Sequence, residues 1–158
     1  MSMTSLEDIY ELSPMQEGML FHTQLSQGSG VYCEQLACTL DGDLDVLAFL
    51  GAWEQVVDRH PVLRTAFHWE GLEKPVQVVL REVEVPWERI DWLGLSPTKQ
   101  EESLDRFLAE DRRRGFMLDQ APLLRLALFR TGATSHQFVA GGDSSRRAPS
   151  PRRDRQCS

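Results

Sequence analysis

The fold of this chain is decided by residues 43–69, which read DLDVLAFLGAWEQVVDRHPVLRTAFHW. Apolar residues recur every three or four positions in the first half, which predicts one buried stripe of an amphipathic helix. We expect Asp43 to cap this helix and Pro61 to end it, because proline has no backbone donor. The predicted stripe consists of Val46, Phe49, Leu50, Trp53, Val56 and Val57.

After Pro61 the period of the pattern changes to two, which indicates a strand. One predicted face carries Leu63, Thr65, Phe67 and Trp69, and the other carries Arg64, Ala66 and His68. Arg64 allows two interpretations. A solvated strand face is the commoner place for an arginine. The alternative is a charge that meets a carboxylate from another part of the chain.

The composition sets the outer limits of the fold and the function. A chain of 158 residues with 41% hydrophobic residues is one domain or part of one. The formal net charge of −7 disfavours binding to nucleic acids or anionic membranes. Residues 140–158 nevertheless contain five arginines and two aspartates, a local charge of +3, which predicts a boundary near residue 140.

The three cysteines do not form the framework of a disulfide-rich protein. Cys33 and Cys38 are an odd number of residues apart on a predicted strand, so they point to opposite faces and cannot share a metal. The acidic N-terminus lacks the pattern of a signal peptide, and no segment has the length and apolar character of a membrane span. We therefore expect a cytoplasmic protein without a metal site.

Further elements are predicted on both sides of the central stretch. Ser13, Pro14 and Gln16 predict a capped helix start, and the helix should end near Gly28. Its predicted inward residues are Met15, Met19, Leu20 and Leu25. Strands are predicted at residues 31–40, 76–80 with a continuation to Val85, 123–130 and from 136, and a helix from Ser96 to Gly115. Leu36, together with Tyr32, Cys38 and Leu40, is expected on the inner face of the first of these strands.

Two stretches of the chain resemble core motifs of nonribosomal peptide synthetase condensation domains. Residues 12–22, LSPMQEGMLFH, resemble the first motif, and residues 59–67, RHPVLRTAF, resemble the second. Residues 114–125 resemble the segment that leads into the family's next strand. The motif residues carried over to this chain are Ser13, Gln16, Arg59, His60, Arg64 and Thr65.

The resemblance implies an α/β fold, an open two-layer sandwich that forms part of a chloramphenicol-acetyltransferase-like lobe. It also divides the chain into three parts. Residues 1–11 are an N-terminal segment that could serve in docking. Residues 12–139 are the N-terminal part of a condensation domain, and residues 140–158 are a disordered tail rich in arginine, serine and proline.

The family forms an amide bond between aminoacyl or peptidyl thioesters that carrier proteins hold. By resemblance, the partners are carrier-protein domains and adjacent synthetase modules, with no nucleic acid and no membrane. The substrates arrive on the phosphopantetheine of the carriers, and no cofactor is bound directly. Two alternatives stay open: a non-catalytic interaction or docking module, and a fragment of a free-standing carrier-dependent acyltransferase of the same superfamily.

The catalytic residues of the family are not found in this sequence. Members continue from the strand that starts near residue 136 into a His-His-x-x-x-Asp-Gly motif, whose second histidine is catalytic. Here the four histidines are His22, His60, His68 and His136, none of them adjacent. A frameshifted or prematurely ended reading frame is favoured over a genuine linker. We therefore expect the chain alone to be inactive.

Two structural consequences would follow from a missing motif. The resemblance makes Arg64 the partner of the motif's aspartate, so we expect a buried guanidinium without a carboxylate, at a site that opens to water. An incomplete sheet should also leave one apolar strand uncovered and prone to aggregation. The residues at risk are Leu123, Leu124, Leu126, Leu128 and Phe129.

Overall fold

The computed structural model describes residues 5–26 and 31–147. The helices in this part of the chain are α1 (Pro14–Leu25), α2 (Val46–Arg59) and α3 (Pro97–Arg114). The strands are β1 (Leu6–Glu11), β2 (Cys33–Asp41), β3 (Thr65–His68), β4 (Val76–Leu80), β5 (Trp87–Asp91), β6 (Leu124–Arg130) and β7 (Ser135–Asp143). Short 3₁₀ turns cover Pro61–Arg64 and Ser144–Arg147.

The strands form two separate sheets. The small sheet has the order β1-β4-β3 and is antiparallel throughout. The large sheet has the order β2-β7-β6-β5, in which only β5 and β6 run parallel. Parallel neighbours need a long crossover, and α3 supplies it between β5 and β6. The sequence patterns did not identify β5. The predicted continuation of β4 to Val85 is wrong, because residues 81–86 contain no strand.

Helices cover both faces of the large sheet. On one face, Val57 of α2 lies among Leu124, Leu126, Leu128 and Phe138. The other face carries Ala127, Phe129 and Val139, and it packs against Leu104, Phe107 and Leu108 of α3. The helix predicted from Ser96 to Gly115 is therefore confirmed, and these three residues of α3 form its inward-facing stripe. In α2, Val46, Phe49, Trp53 and Val57 face the sheet as predicted, whereas Val56 stays exposed.

Strand β6 is not exposed, so the expectation that its apolar residues would template aggregation is wrong. The strand pairs with β5 on one side and with β7 on the other. All five residues considered at risk are buried: Leu123, Leu124, Leu126, Leu128 and Phe129. Because both edges of β6 are paired and α2 and α3 cover the two faces of the sheet, no part of the strand remains for another chain to pair with.

Side chains that cap the helices explain where they begin. Ser13 and Gln16 form the predicted capping box of α1, each bonding the backbone N–H of the other. Helix α2 begins two residues later than expected, because Asp45 rather than Asp43 accepts the hydrogen bond from Ala48. The helix ends at Arg59, before Pro61, as predicted.

Several details of the predicted elements need correction. Residues 61–64 form a 3₁₀ turn, so the strand expected from Leu63 begins only at Thr65. Helix α1 ends at Leu25, and the predicted end near Gly28 lies outside the described residues. Met15, Leu25 and Leu36 were expected to point inward and are exposed instead.

Both predicted domain boundaries, at residue 12 and at residue 140, fall where strands continue the fold. Residues 6–11 are β1, which pairs with β4, so they belong to the fold rather than to a separate segment. The predicted disordered tail from residue 140 is wrong for its first part, because residues 140–143 complete β7 and pair with β2 and β6. Residues 148–158 lie outside the described residues. Across the part of the chain that the structure describes, none of the helices is long and apolar enough to cross a membrane.

Candidate functional site

The end of β7 is the place where the elements of both motifs meet. The backbone N–H of Asp143 bonds the carbonyl of Leu123, and that of Ser144 bonds the carbonyl of Tyr32. The next residue, Ser145, is fully buried, and its carbonyl lies 3.5 Å from the amide nitrogen of Gln16 in α1. Backbone hydrogen bonds to Leu123 and Tyr32 and the contact with Gln16 of α1 therefore fix the position of the strand end.

A pocket of about 400 Å³ opens in front of this strand end. One part of its lining is residues 114–119, at the end of α3 and just after it, and another part comes from the end of α1 and the start of β2. The lining combines apolar side chains with polar ones, among them Trp69, Phe116, Met117, Thr23, Cys33 and Asp143. Burial raises the pKa of the Cys33 thiol above its ordinary value, and the negative charge of Asp111 adds to this effect.

Behind the pocket, a buried chain of hydrogen bonds joins the two sequence motifs. The amide nitrogen of Gln16 donates to the side-chain oxygen of Gln77 at 2.7 Å. Gln77 in turn donates to the hydroxyl of Thr65 at 3.3 Å, and that hydroxyl donates to the carbonyl of Pro61 at 3.1 Å. Buried amides require such partners, because an unpaired one costs about 1–3 kcal/mol. The chain thus fixes α1 against the small sheet.

Arg64 is buried and paired with a carboxylate from another part of the chain, which confirms one of its two interpretations and corrects the other expectations about it. The side chain does not lie on a solvated strand face, and it is not left without a carboxylate. Its Nη1 atom contacts the carboxylate of Glu7 in β1 and the carbonyl of Leu80, and its Nε donates to the carbonyl of Val57 at 3.2 Å. Glu7 thus provides the carboxylate that the resemblance assigned to the missing motif.

The structure brings together only some of the predicted motif residues. Ser13, Gln16 and Thr65 belong to one connected set of hydrogen bonds, and Arg64 lies directly before Thr65 in the chain. Arg59 and His60 lie apart from this set, at the exposed C-terminal end of α2. The position of Arg59 suits a helix end, where a cation is stabilised by the helix dipole.

None of the histidines is among the residues that line the pocket. His22 and His60 are exposed, and His68 is half-buried at the end of β3. His136 is buried in β7, and neither of its ring nitrogens has a hydrogen-bond partner in the described structure. The burial of the ring, followed by the charges of Arg89 and Arg130, lowers the pKa of His136.

Sequence reasoning missed two groups of residues around the site. Gln77 lies in an apolar run that predicts a strand and nothing more, yet it is the link between the motifs. Asp111 was assigned to a helix and Arg125 to the start of a strand, and they form a buried ion pair beside the pocket. A glutamine inside a buried strand is the one sequence feature that could have drawn attention to the first group, because buried polar residues need partners.

Comparison with known proteins identifies the family of this chain. The model of the condensation domain matches residues 6–141. The chain is 50% identical to one of the linear gramicidin synthase proteins of Brevibacillus parabrevis over 135 residues, which is 85% of this chain and 2% of that protein. It is 39% identical to bacitracin synthase 3 of Bacillus licheniformis over 136 residues, which is 86% of this chain and 2% of that protein. The chain therefore spans a small fraction of the length of the curated relatives it matches.

Solved structures show the same fold. The starter condensation domain of rhizomide synthetase superposes with a TM-score of 0.77 at 19% identity, covering 88% of this chain and 34% of that one. A four-domain nonribosomal peptide synthetase bound to AMP and glycine gives a TM-score of 0.77 at 16% identity, covering 89% and 10% of the two chains. The predicted α/β class with a chloramphenicol-acetyltransferase-like fold is confirmed. The motifs, the fold and the relatives agree that this chain belongs to the condensation-domain family of nonribosomal peptide synthetases and corresponds to the N-terminal part of such a domain.

Proposed function

We propose that the pocket at the end of β7 receives the acyl or aminoacyl group that a carrier protein delivers on phosphopantetheine. One observation carries this proposal. The pocket lies directly at Asp143, where β7 ends, and the family resemblance places the catalytic motif immediately after this strand. The proposed partners are therefore carrier-protein domains and the adjacent modules of a synthetase.

The lining of the pocket suits a substrate of this kind. An acyl-pantetheine has an apolar acyl end and a polar arm with amide groups, so it needs a wall of each type. Trp69, Phe116 and Met117 offer apolar surface, while Thr23 and Gln24 offer hydrogen-bonding groups. The volume of about 400 Å³ lies within the range of small-molecule pockets.

We further propose that this chain binds the substrate without forming the amide bond. In the reaction, the acceptor amine attacks the thioester carbonyl, a C–N bond forms, and the C–S bond breaks. The amine loses a proton, which the leaving thiolate takes up. General acid–base catalysis of such a transfer contributes about 10²- to 10⁴-fold in rate, and none of the histidines lines the pocket.

Binding can be tested with an aminoacyl-pantetheine amide, a stable analogue of the thioester. We expect it to change the fluorescence of Trp69 or the amide NMR signals of residues 115–118. Met117→Lys should weaken binding about tenfold, because it places a charge on the apolar wall. Met15→Lys is the matched control: both methionines are 64% exposed, but only Met117 lines the pocket.

Equal affinity in wild type and Met117→Lys would place the ligand elsewhere and overturn the proposal. Catalysis is tested separately, with both carrier-bound thioesters supplied to the wild-type chain. We expect no dipeptidyl thioester above the level without protein, as measured by mass spectrometry. Product above that level would contradict the proposed division between binding and catalysis.

A further inference from the structure

We propose that Arg125 is a positioning residue that holds the wall formed by residues 115–118 in place and so sets the shape of the pocket. The inference rests on the proposed function, because it treats this pocket as the substrate site. Arg125 itself does not line the pocket. It acts through the backbone of Gly115 and the aromatic ring of Phe116, which do line the pocket.

Arg125 contacts the wall at two points. Its Nη1 donates to the carbonyl of Gly115, and its guanidinium lies 4.0 Å from the centre of the Phe116 ring. Gly115 and Phe116 both line the pocket. A guanidinium stacked on an aromatic face is stabilised electrostatically, and its planar set of donors can bond a carbonyl and a carboxylate together. A lysine could keep the charge but not this geometry.

The other side of the guanidinium is anchored to Asp111 in the last turns of α3. Nη2 lies 2.7 Å and Nε 2.9 Å from Oδ1 of Asp111. Only 16% of the Arg125 side chain and 7% of the Asp111 side chain are exposed. The second carboxylate oxygen of Asp111 accepts a hydrogen bond from Gln35 of β2 at 2.8 Å. The wall is therefore tied through one ion pair to both α3 and the large sheet.

Asp111 also approaches the backbone of β7 closely. A Cβ built on Gly141 of β7 would lie 2.7 Å from Oδ2 of Asp111, so a side chain there would displace the carboxylate. The carboxylate thus packs against the bare backbone of β7, close to the strand end. Because glycine alone permits this approach, the ion pair has a fixed position from which Arg125 reaches the wall.

The wall depends on such support because it has no regular structure. Residues 115–118 follow α3 without joining a helix or a strand. Gly115 has a φ of +60°, which turns the chain away from the helix axis. Besides the contacts of Arg125, the backbone N–H of Phe67 donates a hydrogen bond to the carbonyl of Leu118 at 2.7 Å. Loss of Arg125 would release the start of the wall while its end stays attached.

Cys33 is a natural reporter of this change, because it lines the same pocket. Cys38 of the same strand packs on the opposite face, against the α2 side of the sheet, and both thiols are partly buried. The variant Cys157→Ser removes the third thiol. Besides burial, the charges of Asp111 and Arg125 also act on the pKa of the Cys33 thiol, so alkylation by iodoacetamide is followed at several pH values to give a rate per thiolate. Mass spectrometry of the peptides then measures local opening at Cys33 and general loosening at Cys38.

We expect Arg125→Lys to raise the alkylation rate of Cys33 about tenfold, because bonds worth about 1.4 kcal/mol or more are lost. The rate at Cys38 should not change. Phe116→Leu removes the stacking partner but keeps an apolar side chain on the wall, and it should give a smaller rise. Arg113→Gln, at an exposed position of α3, is the control and should leave both rates unchanged. Should Arg125→Lys not fold, Phe116→Leu still provides the test.

An unchanged rate at Cys33 in both variants, or an equal rise at both cysteines, would overturn the positioning role. The alkylation assay needs no ligand, so its result stands whether or not the wild-type chain binds the aminoacyl-pantetheine amide. If the wild type does bind, Arg125→Lys should lower the affinity while Arg113→Gln does not. Equal affinity of Arg125→Lys and wild type would also count against the role.

Discussion

The two sheets of this molecule are held together by different kinds of contact. Apart from the ion pair of Arg125 and Asp111, the large sheet packs through apolar contacts on both faces, where Phe129 stacks on Trp92 with ring centres 4.0 Å apart and Phe138 meets Phe49 at 5.1 Å. The small sheet has an ion pair and a chain of amides in its interior, built on Arg64 and Gln77. The apolar sheet serves as a scaffold, whereas the polar sheet places the residues of the two motifs.

Phe129→Ala in the large sheet should have the largest effect on stability. Phe129 is fully buried between Trp92 and Phe107, so its removal leaves a cavity that the rigid sheet cannot close. The expected loss in the free energy of unfolding is about 3–5 kcal/mol, measured by urea denaturation. Phe21→Ala, at a ring that is 58% exposed, should change stability by less than about 0.5 kcal/mol. Similar losses in the two variants would contradict the assigned core.

Arg64→Met tests the polar interior of the small sheet. The change leaves the carbonyl of Leu80 and the carboxylate of Glu7 without their donor, and we expect a loss of about 3 kcal/mol. Glu7→Gln should cost less than about 1 kcal/mol, because 41% of the Glu7 side chain is exposed and water screens its charge. A larger loss in Glu7→Gln than in Arg64→Met, in the same denaturation assay, would show that the carboxylate dominates the pair.

The contrast between the sheets explains what the sequence could predict. Apolar periodicity identified α2, α3 and β6, because burial of apolar faces follows the local geometry of a helix or a strand. The capping box of α1 was also correct, since it involves residues three apart. The strand β5 was missed because its sequence, WERID, has no apolar alternation, and its pairing with β6 is set by the crossover through α3.

The candidate site was predictable only in part, for the same reason. Ser13, Gln16, Arg64 and Thr65 could be named from motifs, but not the residues that bond them. The partners of Arg64 and Gln16 lie 57 and 61 residues away in the chain, and no local pattern reports contacts at that range. The pairing of Arg64 with Glu7 also shows that a charge assigned to one partner by family resemblance can be satisfied by another when the fold offers a carboxylate.

His136 provides the smallest and most specific prediction, because it is a polar residue in the apolar sheet. It lies in β7 between Leu40 of β2 and Arg130 of β6, and both of its ring nitrogens are buried without hydrogen-bond partners in the described part of the chain. Burial first, and then the charges of Arg89 and Arg130, hold its pKa below the ordinary 6.5. The folded chain therefore favours the neutral ring.

The sign of the pH effect follows from this difference. Below about pH 6.5 the unfolded chain takes up a proton at His136 that the folded chain resists, so stability is lost as the pH falls. We expect the free energy of unfolding to drop between about pH 7.5 and about pH 5.5, and His136→Leu to reduce this drop while retaining the fold. His22→Leu, at an exposed ring, is the control and should leave the drop as in wild type. An identical pH dependence in His136→Leu and wild type would mean that the buried ring takes up its proton as readily as a solvated one, and that the apolar sheet tolerates a charge.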